Sequence, residues 1–303
     1  MKILLLFPMA DGQTGPAIKY AFEQLGHKVI TVDAKIEPWN SYAVSRAFNF
    51  DIVFCSRTEA LTNQVAQIKE ASPSVVTCMW NVDTRLDIND WKHLFPLIRL
   101  CDYHFVVDEG TIPRWRKELN ENTFWLPEGL QSESHSKPEV ISEEDRVKYS
   151  CDVCWIGNCT GPHHGFRERF LSAVEQMGVK FKQWGCKGKP RIWGGEHDKA
   201  VFLSKINIAC SMCPENGKYT SQRNYIILGG GGFLLELYRE NLYKIFPLDI
   251  FDYYMNPKNL VTKIRYWLEH EEERKEIAER GYKWVYENAT FTHRIKMALD
   301  YMK

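Results

Sequence analysis

The chain contains no apolar run near the ~18 residues that a helix needs to cross a bilayer. It also lacks an excess of either charge, with 39 Lys plus Arg against 39 Asp plus Glu. No overall field therefore steers it to nucleic acid or to an anionic surface, although Lys182, Lys187, Lys189 and Arg191 could form a local basic patch. The dinucleotide fingerprint G-x-G-x-x-G is missing, so a nicotinamide cofactor is not supported. There is no D-x-D carboxylate motif and no internal repeat. The nine cysteines are odd in number and scattered through apolar runs. They read as buried free thiols in a reducing compartment, not as a disulfide framework. The opening run Lys2–Phe7 is too short for a secretory leader and reads as a buried strand, so the expected location is cytoplasmic.

What is present is a long alternation of short apolar runs and helical patterns. Strands are expected at Lys2–Phe7, Lys28–Val32, Asp51–Cys55, Ser74–Met79, Tyr103–Val107 and Thr123–Leu126. They lack strict apolar–polar alternation, which suits parallel strands covered on both faces. A polar, acid-rich stretch from Gln131 to Lys148 reads as a linker. After it the alternation restarts, with strands at Cys151–Gly157, Val179–Gln183, Ile206–Ser211 and Phe233–Leu235, and a helix from Asn256-Pro257 onward. The pattern predicts an α/β chain of two doubly wound, Rossmann-like domains facing a cleft. Two C-x-x-C pairs occur, Cys151/Cys154 and Cys210/Cys213. The first lies in a strand, where residues three apart point to opposite faces, so no metal site is expected from it.

In open α/β sheets ligands bind beyond the carboxyl ends of the strands, so the residues following each strand are the candidates for chemistry. After the first strand Asp11 lies in a Gly-containing loop, as a base or as part of a helix-capping turn. After the fourth comes Trp80-Asn81-Val82-Asp83-Thr84-Arg85, with Asp83 as a second candidate base or a cap. In the second half, Gly157-Asn158-Cys159-Thr160-Gly161 is a loop where a phosphate could approach backbone amides. The following His163 and His164 are sequence neighbours that do not naturally converge on one ion. Farther on, Lys218, Ser221 and Arg223 surround the start of a helix, and Gly229–Gly232 follow it. Helix amides, a hydroxyl, a guanidinium and glycines together make a seat for a diphosphate.

At these residues the chain resembles the glycosyltransferases of the spore-maturation-protein type, a group-1-like branch with the GT-B fold. Ser221, Arg223, Tyr225, Gly231-Gly232 and Phe233-Leu234-Leu235 are similar to that family's Ser-x-Arg, aromatic, glycine pair and apolar strand. Asn259-Leu260, Glu273-Arg274, Gly281 and Thr290-Phe291-Thr292-His293-Arg294 fit its closing pattern. The resemblance implies an acceptor-side domain over 1–135, a nucleotide-sugar domain over 150–288, and a helix over 289–303 returning to the first domain. It implies a nucleotide-diphosphate sugar as substrate, no cofactor and no metal, with helix dipole and cations neutralising the leaving group. The acceptor would be a glycan, a small molecule or a modified DNA base. The chain departs from the family in having Ile226 and Tyr243 where family acids stand. Glu236 and Glu240 are the nearby carboxylates that could hold the ribose instead. The departures leave open a binding module without turnover, and some enzymes of this fold act on hydroxymethylated DNA bases.

Overall fold

The computed structural model describes residues 1–85, 87–161, 164–212 and 218–303. Cys213 and His163, singled out above, lie outside the described residues. The chain divides into two compact units. The first holds residues 1–129, 218–219 and 291–303; the second holds residues 130–212 and 220–290.

In the first unit, β1 (Lys2–Phe7), β2 (Lys28–Asp33), β3 (Ile52–Ser56), β4 (Val76–Asn81), β5 (Tyr103–Val106) and β6 (Thr123–Trp125) form one sheet. The order is β2-β1-β3-β4-β5-β6, and every pairing is parallel. Helices α1 (Thr14–Gln24), α2 (Asn40–Ala47), α3 (Thr62–Ala71), α4 (Phe95–Leu100) and α5 (Ile112–Glu118) connect the strands. Both faces are covered. Leu4 and Leu6 of β1 join one apolar cluster, and Ile3, Leu5 and Phe7 join the other. This is why the strands read as unbroken apolar runs.

The second unit contains α6 (Glu143–Tyr149), β7 (Cys151–Ile156), α7 (Glu168–Glu175), β8 (Phe181–Trp184), α8 (Gly194–Phe202), β9 (Ser204–Ala209), α9 (Gln222–Gly229), β10 (Leu234–Leu237), β11 (Asp252–Tyr254), α10 (Pro257–Glu269) and α11 (Glu271–Asn288). Its parallel sheet runs β11-β10-β9-β7-β8. Asn256 caps α10 by accepting the Asn259 N–H at 2.9 Å. The acidic stretch read as linker includes a helix. Ser142 and Asp145 form a reciprocal capping box, and Glu143, Glu144 and Asp145 make the first turn of α6.

The chain leaves and re-enters the second unit at adjacent points. Leu130 N–H donates to Ala289 O at 2.8 Å, and Leu130 bridges Thr290 in parallel. The last helix, α12 (Phe291–Tyr301), belongs to the first unit. Its Phe291, Ile295 and Ala298 pack with Ala17, Ile18, Ala21 and Phe22 of α1, and the Phe291 ring lies 5.7 Å from that of Trp80. Among the described residues no helix is long and apolar enough to cross a membrane.

Two cysteine expectations are corrected. Cys55, Cys78, Cys101, Cys151, Cys154 and Cys210 are free and buried as read, but Cys159 and Cys186 form a disulfide. Neighbouring strands β7 and β8 deliver the two residues with their Cα atoms 5.4 Å apart, although 27 positions separate them in sequence. The thiols of Cys151 and Cys154 do not point fully apart either: each lies close enough to shift the other's pKa, Cys151 downward and Cys154 upward. The N–H groups of Asp152 and Val153 both donate to Lys180 O, so regular alternation fails at the start of β7.

Candidate functional site

Each sheet has one topological switch point, where chain order reverses. In the second unit it lies between β7 and β9, the place where an open α/β sheet receives its ligand. Three pieces of chain meet there. β7 runs out into Gly157–Gly161, β9 runs out into Cys210–Met212, and α9 begins after Ser221.

Arg223, in the first turn of α9, reaches back to the end of β7. Its Nε donates to Ile156 O at 2.6 Å, and its Cζ stands 4.7 Å from the centroid of the Trp155 ring. The guanidinium lies against Gly157, where a Cβ would collide with it. Gly157 also has φ +142°, a backbone region that side chains rarely adopt. Glycine is therefore required there twice over. Replacing Gly157 by Ala should cost about 1–3 kcal/mol of stability from strain alone and displace Arg223. An unchanged thermal midpoint would contradict this seating.

The loop after Gly157 is shaped by Asn158. Its Oδ1 accepts from the Thr160 N–H and hydroxyl, both at 3.0 Å. Arg167 holds the loop from beneath: Nε donates to Cys210 O and Nη1 to Asn158 O, both at 2.8 Å. This buried cation ties the exits of β7 and β9 together, with its Cζ 5.6 Å from the same Trp155 ring. The sequence reading missed Arg167, which carries no local signal: it is one arginine among several just before an amphipathic helix.

Ser221 is the N-cap of α9, yet its side chain makes no cap bond to that helix. Its Oγ lies 3.1 Å from Ser211 Oγ, and its N–H donates to Ser211 Oγ at 3.2 Å. Ser211 in turn rests on Glu236, whose carboxylate accepts the Ser211 N–H at 2.9 Å. Glu236 is fully buried at the end of β10, and burial pushes its carboxyl above the usual range while Ser211, Asn224, Arg223 and Arg167 pull the other way. It supports the serine pair from below. Glu240 is exposed beyond β10.

The glycines after α9 differ from the sequence expectation. Gly231 has φ +73°, its N–H bonds Leu228 O, and the Gly232 N–H bonds Ile227 O. They terminate α9 in a Schellman-type turn at the opposite end from Ser221, about 12 Å along an eight-residue helix. Gly232 also lets the chain approach Val201 and Asn207, 2.6 Å from where its Cβ would be. The phosphate-type features are thus confined to Ser221, Arg223 and the Gly157–Gly161 loop.

Lys218 is assigned to the first unit, where Nζ pairs with Glu109 at 2.7 Å and stands 5.0 Å from the Trp125 ring centroid. In that unit the switch point lies between β1 and β3. A cavity of about 340 Å³ opens there, lined in part by Gln13, Thr14, Lys35, Ser56, Arg57 and Thr58. Asp11 is exposed in the turn after β1. Asp83 is half-buried between two guanidiniums, 3.2 Å from Arg57 and 3.6 Å from Arg85, and both arginines lie over the Trp91 ring. Of the basic residues considered for nucleic acid, Lys187 is paired with Glu175 and Lys182 donates to backbone carbonyls.

Residues 167–300 match the family model described as glycosyl transferase-like. No curated protein matches the chain. Solved structures share its fold over the whole length. A glycosyltransferase from Rickettsia africae is 12% identical with a TM-score of 0.63, covering 99% of this chain and 97% of its own. HepE of Anabaena, solved with UDP and glucose, is 11% identical with a TM-score of 0.66, covering 100% and 99%. The sucrose-phosphate synthase of Thermosynechococcus elongatus is 9% identical with a TM-score of 0.65, covering 100% and 98%. The architecture is GT-B.

Proposed function

We propose that the protein is a glycosyltransferase that moves a sugar from a nucleoside-diphosphate donor to a hydroxyl acceptor. The observation that carries this reading is the convergence of Arg223, the start of α9 and the Gly157–Gly161 loop at one switch point, the first two lying within the stretch that matches the glycosyl transferase-like model. The second unit is the donor side. Ser221, Arg223 and the amides of Gly157, Asn158, Thr160 and Gly161 receive the diphosphate, with Glu236 and Arg167 fixing the two loops that carry them. In the reaction the acceptor oxygen bonds to the anomeric carbon. The bond from that carbon to the diphosphate oxygen breaks, and the nucleoside diphosphate leaves with the electron pair. Positive charge at a helix start and on guanidiniums stabilises that leaving group without requiring a metal ion.

The first unit is the acceptor side, and its cavity between the β1 and β3 exits is the proposed seat. Asp11 or Asp83 takes the acceptor proton if the reaction inverts configuration. Between them, Asp83 is held beside the cavity wall through its bond to Arg57. The relation to spore-maturation-type enzymes belongs to this proposal, as does cytoplasmic residence.

A second reading is a binding module that holds nucleotide sugar without turnover. Ile226 and the exposed Tyr243, standing where the family has acids, favour it. UDP and UDP-glucose are the first probes, followed by a donor panel read by mass spectrometry. A raised thermal midpoint with donor breakdown is expected for the enzyme; a shift without breakdown over the whole panel selects the module. No shift with any nucleotide removes both.

A further inference from the structure

The second unit buries three metal-type donors to which the proposed transfer gives no part. His135 is 6% exposed, His197 7% and Asp198 5%. His135 comes from the segment before α6, and the other two are successive residues of α8. One ligand atom from each lies within 4.8 Å of the others. His135 Nδ1 stands 2.7 Å from Asp198 Oδ1, and the two imidazole rings meet edge-on with centroids 5.6 Å apart.

One atom of the cluster has no internal explanation. His197 Nδ1 is buried and has no hydrogen-bond partner among the described residues. Leaving a buried polar atom unmatched costs about 1–3 kcal/mol, and a bound ion is one of the few things that removes that cost. The surroundings hold the donors in place. The Tyr286 hydroxyl donates to His135 O at 2.9 Å, and the Ser136 N–H donates to Asp198 Oδ2 at 3.2 Å.

The geometry points to a divalent transition-metal site of the zinc class, formed by His135, His197 and Asp198. Two imidazoles and one carboxylate are donors that zinc accepts, whereas magnesium and calcium favour all-oxygen sets. Two zinc ligands at about 2.0–2.1 Å from the ion stand at most ~4.2 Å apart. A spread within 4.8 Å therefore closes by well under one ångström per ligand. On binding, the ion replaces the hydrogen between His135 Nδ1 and Asp198 Oδ1: the neutral imidazole keeps one proton, on its other ring nitrogen, and Nδ1 and the carboxylate turn their lone pairs to the metal. The role is structural: the ion pins the segment carrying residue 135 to α8. This inference stands independently of the donor-site reading, because it is measured by metal content and not by transfer.

The full chain, purified without a metal-affinity step and treated with a chelator, would be titrated with Zn²⁺ and with Co²⁺. One equivalent is expected to bind, with cobalt bands in the visible and no sulfur charge-transfer band in the near ultraviolet. Loss of a direct ligand in His197→Ala or Asp198→Asn should weaken binding by more than the ~10–100-fold typical of an outer-shell change. Replacing both Cys151 and Cys154 by Ser should leave it unchanged. Absence of a stoichiometric ion in the unaltered protein overturns the proposal, and that measurement needs no variant to fold. A thiolate band, or loss of binding in the double Ser variant, assigns the ion to the Cys151–Cys154 pair and also overturns it.

Discussion

Replacing Phe291 by alanine should lower stability by about 3–5 kcal/mol, the usual cost of emptying a fully buried phenylalanine position. Phe291 is 1% exposed and opens the helix that closes one face of the first sheet. Its ring contacts Trp80, and the helix behind it carries Ile295 and Ala298 into the cluster formed with α1. The site cannot collapse easily, because the Trp80 indole is itself fixed by donating to Leu126 O at 3.1 Å. The helix is anchored elsewhere too: Arg294 Nε donates to Glu128 O at 2.9 Å, and the Tyr301 ring stacks 4.6 Å from that of Phe124. At about 2–4 °C per kcal/mol for a unit of this size, the thermal midpoint should fall by roughly 6–20 °C. Phe291→Leu should lose far less, since most of the buried volume stays. Equal melting of the alanine variant and the parent protein would show that α12 does not hold the first unit together.

Replacing Arg223 by alanine should weaken donor affinity by about 10–150-fold, if the proposed function is correct. The figure follows from losing a charge-assisted hydrogen bond of about 1.5–3 kcal/mol, at tenfold per 1.4 kcal/mol. Lysine should recover little. Arg223 uses one planar guanidinium both to bond Ile156 O and to lie over Trp155, and a single ammonium point charge does not reproduce that planar, forked arrangement. Calorimetric titration with UDP separates this from a folding defect when the thermal midpoint is recorded on the same samples. Wild-type affinity in a folded Arg223→Ala protein would take the guanidinium out of the donor site.

Most strands were legible because both-face burial writes itself as continuous apolar runs, as in Leu4-Leu5-Leu6 or Val53-Phe54-Cys55. The edge strand β11 was not, since Asp252-Tyr253-Tyr254 is three residues long and half polar. The acid run before Tyr149 was read by composition alone, although Ser142 and Asp145 have capping-box spacing. In the site, Ser221 and Arg223 could be singled out because a helix start advertises itself locally. Arg167 and Ser211 could not: their importance comes from β7 and β9 lying side by side, which no window of sequence contains. The glycines misled for a related reason. A run of glycine reports freedom and close approach, but not which end of a helix will use them. The Cys159–Cys186 link and the His135–Asp198 contact span 27 and 63 positions, and only the folded arrangement brings either pair together.

The position of α12 has a consequence for biosynthesis. The first unit's sheet is covered, on the Trp80 face, by residues translated only after the whole second unit. At about 5–20 residues per second, the wait from the end of β6 to α12 is roughly 8–35 s. Throughout that interval the nascent first unit displays a bare patch including Ile18, Phe22 and Trp80. A ribosome stalled anywhere in the second unit would therefore release a chain whose leading half is unfinished and prone to aggregate, and chaperone demand should be greatest at that stage of synthesis.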